Sequence, residues 1–556
     1  MKNWNVRKAV VAREDMAPEH RLKQSLGWPH LVALGVGAIV GTGILTLIGV
    51  GAGKAGPAVI LSFAIAGLIC ACAALAYAEV ATMIPASGSA YTYSYVVFGE
   101  LIAWMIGVAL ILEYTLVVSA VAVGWSGYAA GFLKSVGLGL PDALIQGPEL
   151  GGVINLPAIF IIWIVAGLLI AGTRESATVN AILVLIKMAA LALFIAVALP
   201  VFNASHFHPF MPYGFPRSGP PGSEVGVMAA AAIIFFAFYG FDAIATAAEE
   251  TKNPSRDLAI GIVGSMLVCV AIYMAVAAAA IGALAYTGFA NSPEPLALIL
   301  REIGKPWAAR VLGAAAVIAL PTVILAFFYG QSRIFFTVAR DGLLPPSLAR
   351  VSRRGTPVRI TIFTAIVTSI FGGLIPLASI AALANAGTLA AFVAVCAAML
   401  VLRRREPNTE RKFRTPAAPI VGTVGILGCL YLFISLPNRT QLFFLTAQVI
   451  GLVLYAIYGS RAAERAREGS GTPALKAALA RPEAAATTSN AYSIAGWCLL
   501  VVGVAGAAMS LSMRTTVGSP IGEVSNLSLM NQQHNVLLVS CCMAIVGAIL
   551  LATKRR

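Results

Sequence analysis

Apolar residues fall along this chain in runs long enough to cross a bilayer, which takes about 20 residues in helical form. By that rule the runs at 30–55, 57–82, 98–133, 153–172, 176–200, 223–249, 258–286, 308–339, 358–376, 378–402, 418–437, 441–459, 493–513 and 534–553 predict fourteen membrane helices. The third and eighth are long enough to tilt strongly or to extend beyond the bilayer. A polar linker from Gly459 to Asn490 separates the first twelve from a final pair, which reads as an appended module. The predicted division is an N-terminal segment 1–26, core helices one to ten over 27–403, helices eleven and twelve over 404–459, the linker over 460–490, and helices thirteen and fourteen over 491–556.

Composition supports an all-α integral membrane protein: 59% of the 556 residues are hydrophobic and only 11% charged. The formal charge of +15 could suggest nucleic acid, but its placement does not. Most Lys and Arg fall in alternate loops and at the termini: in the first 26 residues, in 403–414, in 461–481 and in 554–556. That is the topology signal of cytoplasmic loops. It predicts both termini in the cytoplasm and no nucleic-acid partner. The first 26 residues are polar and carry no signal-peptide core. All eight cysteines lie in apolar runs and read as packing residues. Only the His206-x-His208 pair hints at a metal, and weakly, so neither metal nor cofactor is expected.

Two of the runs carry glycine interruptions. Residues 35–45 read Gly-Val-Gly-Ala-Ile-Val-Gly-Thr-Gly-Ile-Leu. Each glycine costs a helix interior about 1 kcal/mol against alanine, so unwinding near Gly41-Thr42-Gly43 is cheap. An unwound turn at membrane depth must line a polar cavity or be buried in protein. A second half-helix beginning near Ile44 would aim free N–H groups into the gap, which suits a carboxylate. The carbonyls ending the first half suit an ammonium or a cation. The same run also fits a glycine face packed against a neighbouring helix. In the sixth run, 223–249, Gly240 interrupts Phe-Phe-Ala-Phe-Tyr-Gly-Phe-Asp at 235–242, with Asp242 two residues on. Interrupted helices at positions one and six predict a five-plus-five inverted repeat with its binding site between the breaks.

Among the charged residues within spans, three lie deep: Glu113 in the third, Lys187 in the fifth and Asp242 in the sixth. Charges at such depth mark functional sites by default. The plain alternative is an inert buried pair of Lys187 with Glu113 or Asp242. Glu79, at the inner end of the second span, reads as a partner of inner-loop arginines. Glu249 and Glu250 read as solvated or paired at the inner end of the sixth.

These motifs resemble a known superfamily. Gly-Ala-Ile-Val-Gly-Thr-Gly-Ile at 37–44, Ala-Glu-Val-Ala-Thr-Met-Ile-Pro-Ala-Ser-Gly-Ser-Ala-Tyr-Thr-Tyr at 78–93, the Phe-Phe-Ala-Phe-Tyr-Gly-Phe-Asp run at 235–242, Ala-Glu-Glu-Thr-Lys-Asn-Pro-Ser-Arg-Asp at 248–257 and Gly-Gln-Ser-Arg-Ile-Phe-Phe-Thr-Val-Ala-Arg-Asp-Gly-Leu-Leu-Pro at 330–345 resemble the amino acid–polyamine–organocation superfamily. The similarity covers roughly residues 25 to 460 and is greatest to the cationic amino acid transporter branch, which the count of fourteen helices also matches.

The resemblance implies a proton-linked amino acid importer in a plasma membrane, for a bacterium its cytoplasmic membrane, and not an enzyme. The N–H groups of Thr42 and Gly43 would hold the substrate carboxylate. The carbonyls of Ile39, Phe236, Ala237 and Tyr239 would take its ammonium, with Phe236 as a gate. Lys187 would stand where sodium-coupled cousins hold sodium, and Glu113 and Asp242 would work with it in proton coupling. Tyr239 and Phe327 depart from the family by being bulkier, which argues against a large side chain on the substrate. The expectation is therefore proton-coupled import of small to medium neutral L-amino acids. The alternatives are a cationic amino acid carrier, an exchanger, or a membrane sensor that binds and does not transport.

Overall fold

A computed structural model describes residues 7, 26–85, 88–171, 177–220, 222–248, 251–290, 292–345, 358–460 and 462. Nearly all of the N-terminal segment, Glu249, Glu250, the linker and helices thirteen and fourteen lie outside the described residues. The first span is α1 (Trp28–Ile39), α2 (Thr42–Leu45) and α3 (Leu47–Ala55), and the second is α4 (Val59–Met83). After a short helix, α5 (Ser89–Val97), come α6 (Glu100–Ser135), α7 (Leu156–Ala171) and α8 (Ala177–Ala198). The sixth span is α9 (Val227–Ile234) and α10 (Asp242–Thr246), and the seventh is α11 (Pro254–Ala283). A short α12 (Pro295–Glu302) precedes the eighth, built of α13 (Pro306–Ala319) and α14 (Pro321–Arg340). The ninth to twelfth are α15 (Val358–Leu374), α16 (Leu377–Arg405), α17 (Ala418–Ser435) and α18 (Asn438–Leu454). Ten helices among the described residues are long and apolar enough to cross a membrane, and α7 and α15 are shorter apolar ones. Together they are the first twelve predicted spans.

Packing repeats between the halves. The first span lies along the seventh, α1 on α11, and the sixth along the second, α9 on α4. The third lies along the tenth, α6 on α16, and the eighth along the fifth, α13 on α8. Each pairing in one half thus has its counterpart with the halves exchanged, as the five-plus-five repeat requires. The sixth span, Val227–Thr246, is buried along the whole of its apolar stretch, against 28% for the twelfth, Asn438–Gly459. The interrupted helix is therefore the centre, and the twelfth span is rim. Along the rim Phe160, Leu185, Ile420 and Val449 point outward, as lipid-facing side chains do.

Several details differ from the pattern-based expectation. The first helix breaks at Val40–Gly41, and the second half begins at Thr42 rather than near Ile44. Val40, at ψ 97°, and Gly41, at φ −152° and ψ −145°, both leave helical angles and so absorb the turn, leaving Thr42 and Gly43 helical. A second irregularity follows at Thr46. The eighth span is two helices, divided at Leu320 just before Pro321, which has no N–H to continue the ladder. The buried helix α5 is too short and too rich in Ser, Thr and Tyr to register as an apolar run.

Candidate substrate and coupling site

The two interruptions meet. A Cβ added at Gly43 would lie 2.3 Å from the Cα of Ala237. One added at Gly240 would lie 2.9 Å from the Ala38 carbonyl carbon and 3.0 Å from the Ile39 nitrogen. Each glycine therefore lets the backbone of one broken helix touch the other. Gly240 is doubly constrained, because its φ of +122° is a conformation that side chains disfavour. The glycine packing face and the broken helix, open alternatives in the sequence, are one feature: the gap is where the helices pack.

Backbone poles are bare or claimed by side chains at this crossing. In α2 the first intrahelical bonds are Leu45 N–H to Gly41 O and Thr46 N–H to Thr42 O. The N–H groups of Thr42, Gly43 and Ile44 belong to the first turn, which has no intrahelical acceptors. At the end of α1, Ile39 O accepts from the Tyr273 hydroxyl at 2.8 Å, and Gly37 O accepts from Lys187 Nζ at 2.8 Å. Thr42 lies against α6, where Gly124 leaves room for its methyl group. In the sixth span a 3-10 turn, Phe235–Ala237, ends α9, and the chain stays irregular until Asp242.

Four buried rings line the crossing. Phe236 and Tyr239 lie 4.9 Å apart, Tyr239 and Phe327 6.1 Å, and Phe327 and Tyr114 5.2 Å, each pair edge to face. Phe236, Tyr239 and Phe327, singled out separately in the sequence, thus stand together, and Tyr114 joins them.

The charged residues divide into two groups. Lys187 is buried, and Nζ donates to Gly37 O and, at 3.0 Å, to Thr322 Oγ1 on α14. Beside it Val40, Leu45, Ala190 and Leu320 line a void of about 10 Å³, room for about one water. The acids gather round Tyr114. Asp242 Oδ2 accepts from the Tyr114 hydroxyl at 2.7 Å, and Oδ1 accepts from the Gly240 N–H at 3.1 Å. Glu113 is buried against α16 at Gly387, beside Thr388. The hydroxyls of Tyr93 and Tyr239 are buried and, among the described residues, without partners, and they and Tyr77 lie within electrostatic reach of Asp242. Buried polar groups without partners mark places where water or a ligand belongs.

Glu79 behaves as its position suggests. Arg403 holds both its oxygens, at 2.8 and 2.6 Å, Arg411 Nε lies 3.3 Å away, and the Thr415 N–H donates at 2.8 Å. This clamps the loop after α16 to α4. His206 Nδ1 lies 3.0 Å from Gly282 O. Tyr114, Tyr273 and Thr322 were not read from the sequence as site residues. A tyrosine hydroxyl in an apolar span needs a partner, and that signal was available for Tyr114 and Tyr273.

Twelve apolar helices among the described residues, two of them interrupted where they cross, with backbone poles and buried charges at the crossing, define a multi-pass membrane transporter. A family model described as amino acid permease matches residues 26–457, which end within the segment following α18. The chain is 44% identical over 450 residues to the branched-chain amino acid permease BcaP of Bacillus subtilis (strain 168), covering 80% of this chain and 94% of that protein. It is 40% identical over 444 residues to the methylthioribose transporter of the same organism, covering 79% and 94%. It is 37% identical over 409 residues to the vacuolar cationic amino acid transporter 2 of Arabidopsis thaliana, covering 73% and 64%. The chain belongs to the amino acid permease family, and amino acid transport is its function.

Proposed function

We propose that this permease imports small to medium neutral L-amino acids by proton-coupled alternating access. The observation that carries the reading is the crossing of the two breaks, where bare backbone poles stand beside a wall of buried rings. The N–H groups of Thr42 and Gly43 take the carboxylate. The carbonyls of Ile39, Phe236, Ala237 and Tyr239 take the ammonium. Phe236 closes over the substrate, and Phe327 with Tyr239 limits its side chain. The relative named as a branched-chain amino acid permease supports a neutral, apolar side chain.

Proton coupling falls to Lys187, Glu113 and Asp242. The Lys187 ammonium ties the end of α1 to α14 through Gly37 O and Thr322, so changing its charge changes what holds those helices together. Lysine suits this because its charge responds to burial and water access. The protein sits in a plasma membrane, with both termini cytoplasmic. Residues 27–403 form the transporting core, with 404–459 beside it and 460–490 leading to an appended pair over 491–556. No enzymatic reaction and no nucleic-acid partner belongs to this reading.

One observation favours the runner-up, a carrier of cationic amino acids. Glu113, a buried acid within electrostatic reach of Tyr239, is a counter-charge that a cationic side chain would meet past the rings. Uptake of labelled alanine into proteoliposomes, with each amino acid as competitor, decides between the two. Counterflow excludes an exchange-incompetent sensor, which binds and moves nothing.

A further inference from the structure

We infer that Tyr114 is the positioning residue that makes proton coupling depend on the substrate's side chain. This rests on the proton-coupled reading above and adds the link between its two halves. Tyr114 touches three spans at once. Its own helix, α6, is the third. Its ring packs on Phe327 of α14 at 5.2 Å, and a Cβ added at Gly330, one turn along, would lie 2.7 Å from its Cε1. Its hydroxyl donates to Asp242 Oδ2 at 2.7 Å, at the start of α10. Phe327 and Gly330 thus form a seat on α14 that fixes the ring, and the fixed ring aims the hydroxyl at the acid.

The chain of contacts closes on the substrate from both ends. A side chain in the pocket presses on Phe327 and Tyr239, and Phe327 bears on Tyr114. From Tyr114 the hydrogen bond reaches Asp242, whose other oxygen holds the Gly240 N–H. Gly240 lies on the Ala38–Ile39 backbone, where the ammonium is to be held. Displacing Phe327 therefore shifts the donor on Asp242 without any substrate atom touching the acid.

The groups that face Asp242 come from four elements. They are Cys70 and Tyr77 of α4, Tyr93 of α5, Glu113 and Tyr114 of α6, and Tyr239 of the sixth-span break. Among these only Tyr114 both donates to Asp242 and packs on Phe327. Loss of a hydrogen bond to a charged group is expected to change an equilibrium about tenfold or more.

The test compares two transport modes of the full chain in proteoliposomes. Counterflow of labelled alanine, valine and leucine reads binding and the conformational cycle. Accumulation driven by an inside-alkaline pH gradient reads coupling. Tyr114→Phe keeps the ring on Phe327 and removes the donor. We expect it to retain counterflow and to lose accumulation about tenfold. Phe327→Leu disturbs the same link from the pocket side, and should lower the ratio of accumulation to counterflow while leaving Tyr114 its hydroxyl. Wild-type accumulation by Tyr114→Phe, or by Phe327→Leu if Tyr114→Phe does not fold, overturns the assignment of Tyr114. Equal loss of counterflow and accumulation in a folded Tyr114→Phe also overturns it, because the role is then structural. If wild type itself shows counterflow but no response to the gradient, the proton-coupled reading fails and this inference falls with it.

Discussion

The two broken helices do different work. The first breaks over Val40 and Gly41 and exposes little but backbone. Its carbonyls at Gly37 and Ile39 receive Lys187 and Tyr273 from neighbouring helices. The sixth stays irregular from the 3-10 turn Phe235–Ala237 to Asp242, and it carries rings and an acid. In the proposed reading the first break supplies backbone poles for groups that all amino acids carry, and the sixth adds, beside its own carbonyls, the shape and charge that tell amino acids apart. Changes that force the two touching backbones apart should remove binding of all substrates together, and side-chain changes around the second break should redistribute preference or coupling.

The largest effects are expected at the two glycines where the breaks touch. Gly43→Val places side-chain atoms where Ala237 stands, and Gly240→Ala adds both that kind of collision and an unfavourable φ. Both variants should insert in the membrane and lose binding of every substrate, measured by thermal shift with each amino acid. Near-native affinity in Gly43→Val would place the carboxylate elsewhere.

Next comes Lys187→Ala. Removing the ammonium from Gly37 O and Thr322 Oγ1 should abolish pH-driven uptake, while native uptake should not require sodium. Proton dependence unchanged in the mutant would remove Lys187 from the coupling. The effect belongs to neither break alone, since Lys187 joins the first span to the eighth.

A selective change is expected at Phe327→Ser. The lost ring opens the far side of the pocket towards Tyr114 and the acids, so longer substrates, arginine included, should compete with labelled alanine, while alanine still binds. A pocket that only gains or loses one methylene's worth of space discriminates by about 1–3 kcal/mol, so neutral substrates of adjacent size should overlap in wild type. An unchanged competition profile in Phe327→Ser would reduce Phe327 to packing.

Much of the architecture was legible because a bilayer enforces it. Long apolar runs marked the first twelve helices, and Gly41 and Gly240 marked the two interrupted ones. The start of the second half-helix lies two residues before the expected Ile44, because propensity cannot say which of four glycines takes the extended angles. Phe236, Tyr239 and Phe327 were identified one at a time, but their assembly with Tyr114 depends on how α6 and α14 cross, which no local pattern records. Thr322 was invisible for the same reason: its role appears only when Lys187 arrives from another helix.

The smallest effect is expected at Tyr273→Phe. It removes one hydroxyl from Ile39 O, a loss of about 0.5–1.5 kcal/mol. Thermal stability should fall slightly and the order of substrate preference should stay as it is. A reordered preference would mean that the first break also reads side chains, and the contrast between the breaks would blur.

The most direct test of the account is uptake of labelled alanine into proteoliposomes holding the wild-type protein, under an inside-alkaline gradient, with the twenty amino acids as competitors. Uptake should rise with the gradient, small and medium neutral amino acids should compete best, and arginine and lysine should compete poorly. Preference for arginine over alanine, or binding without uptake or counterflow, would contradict it.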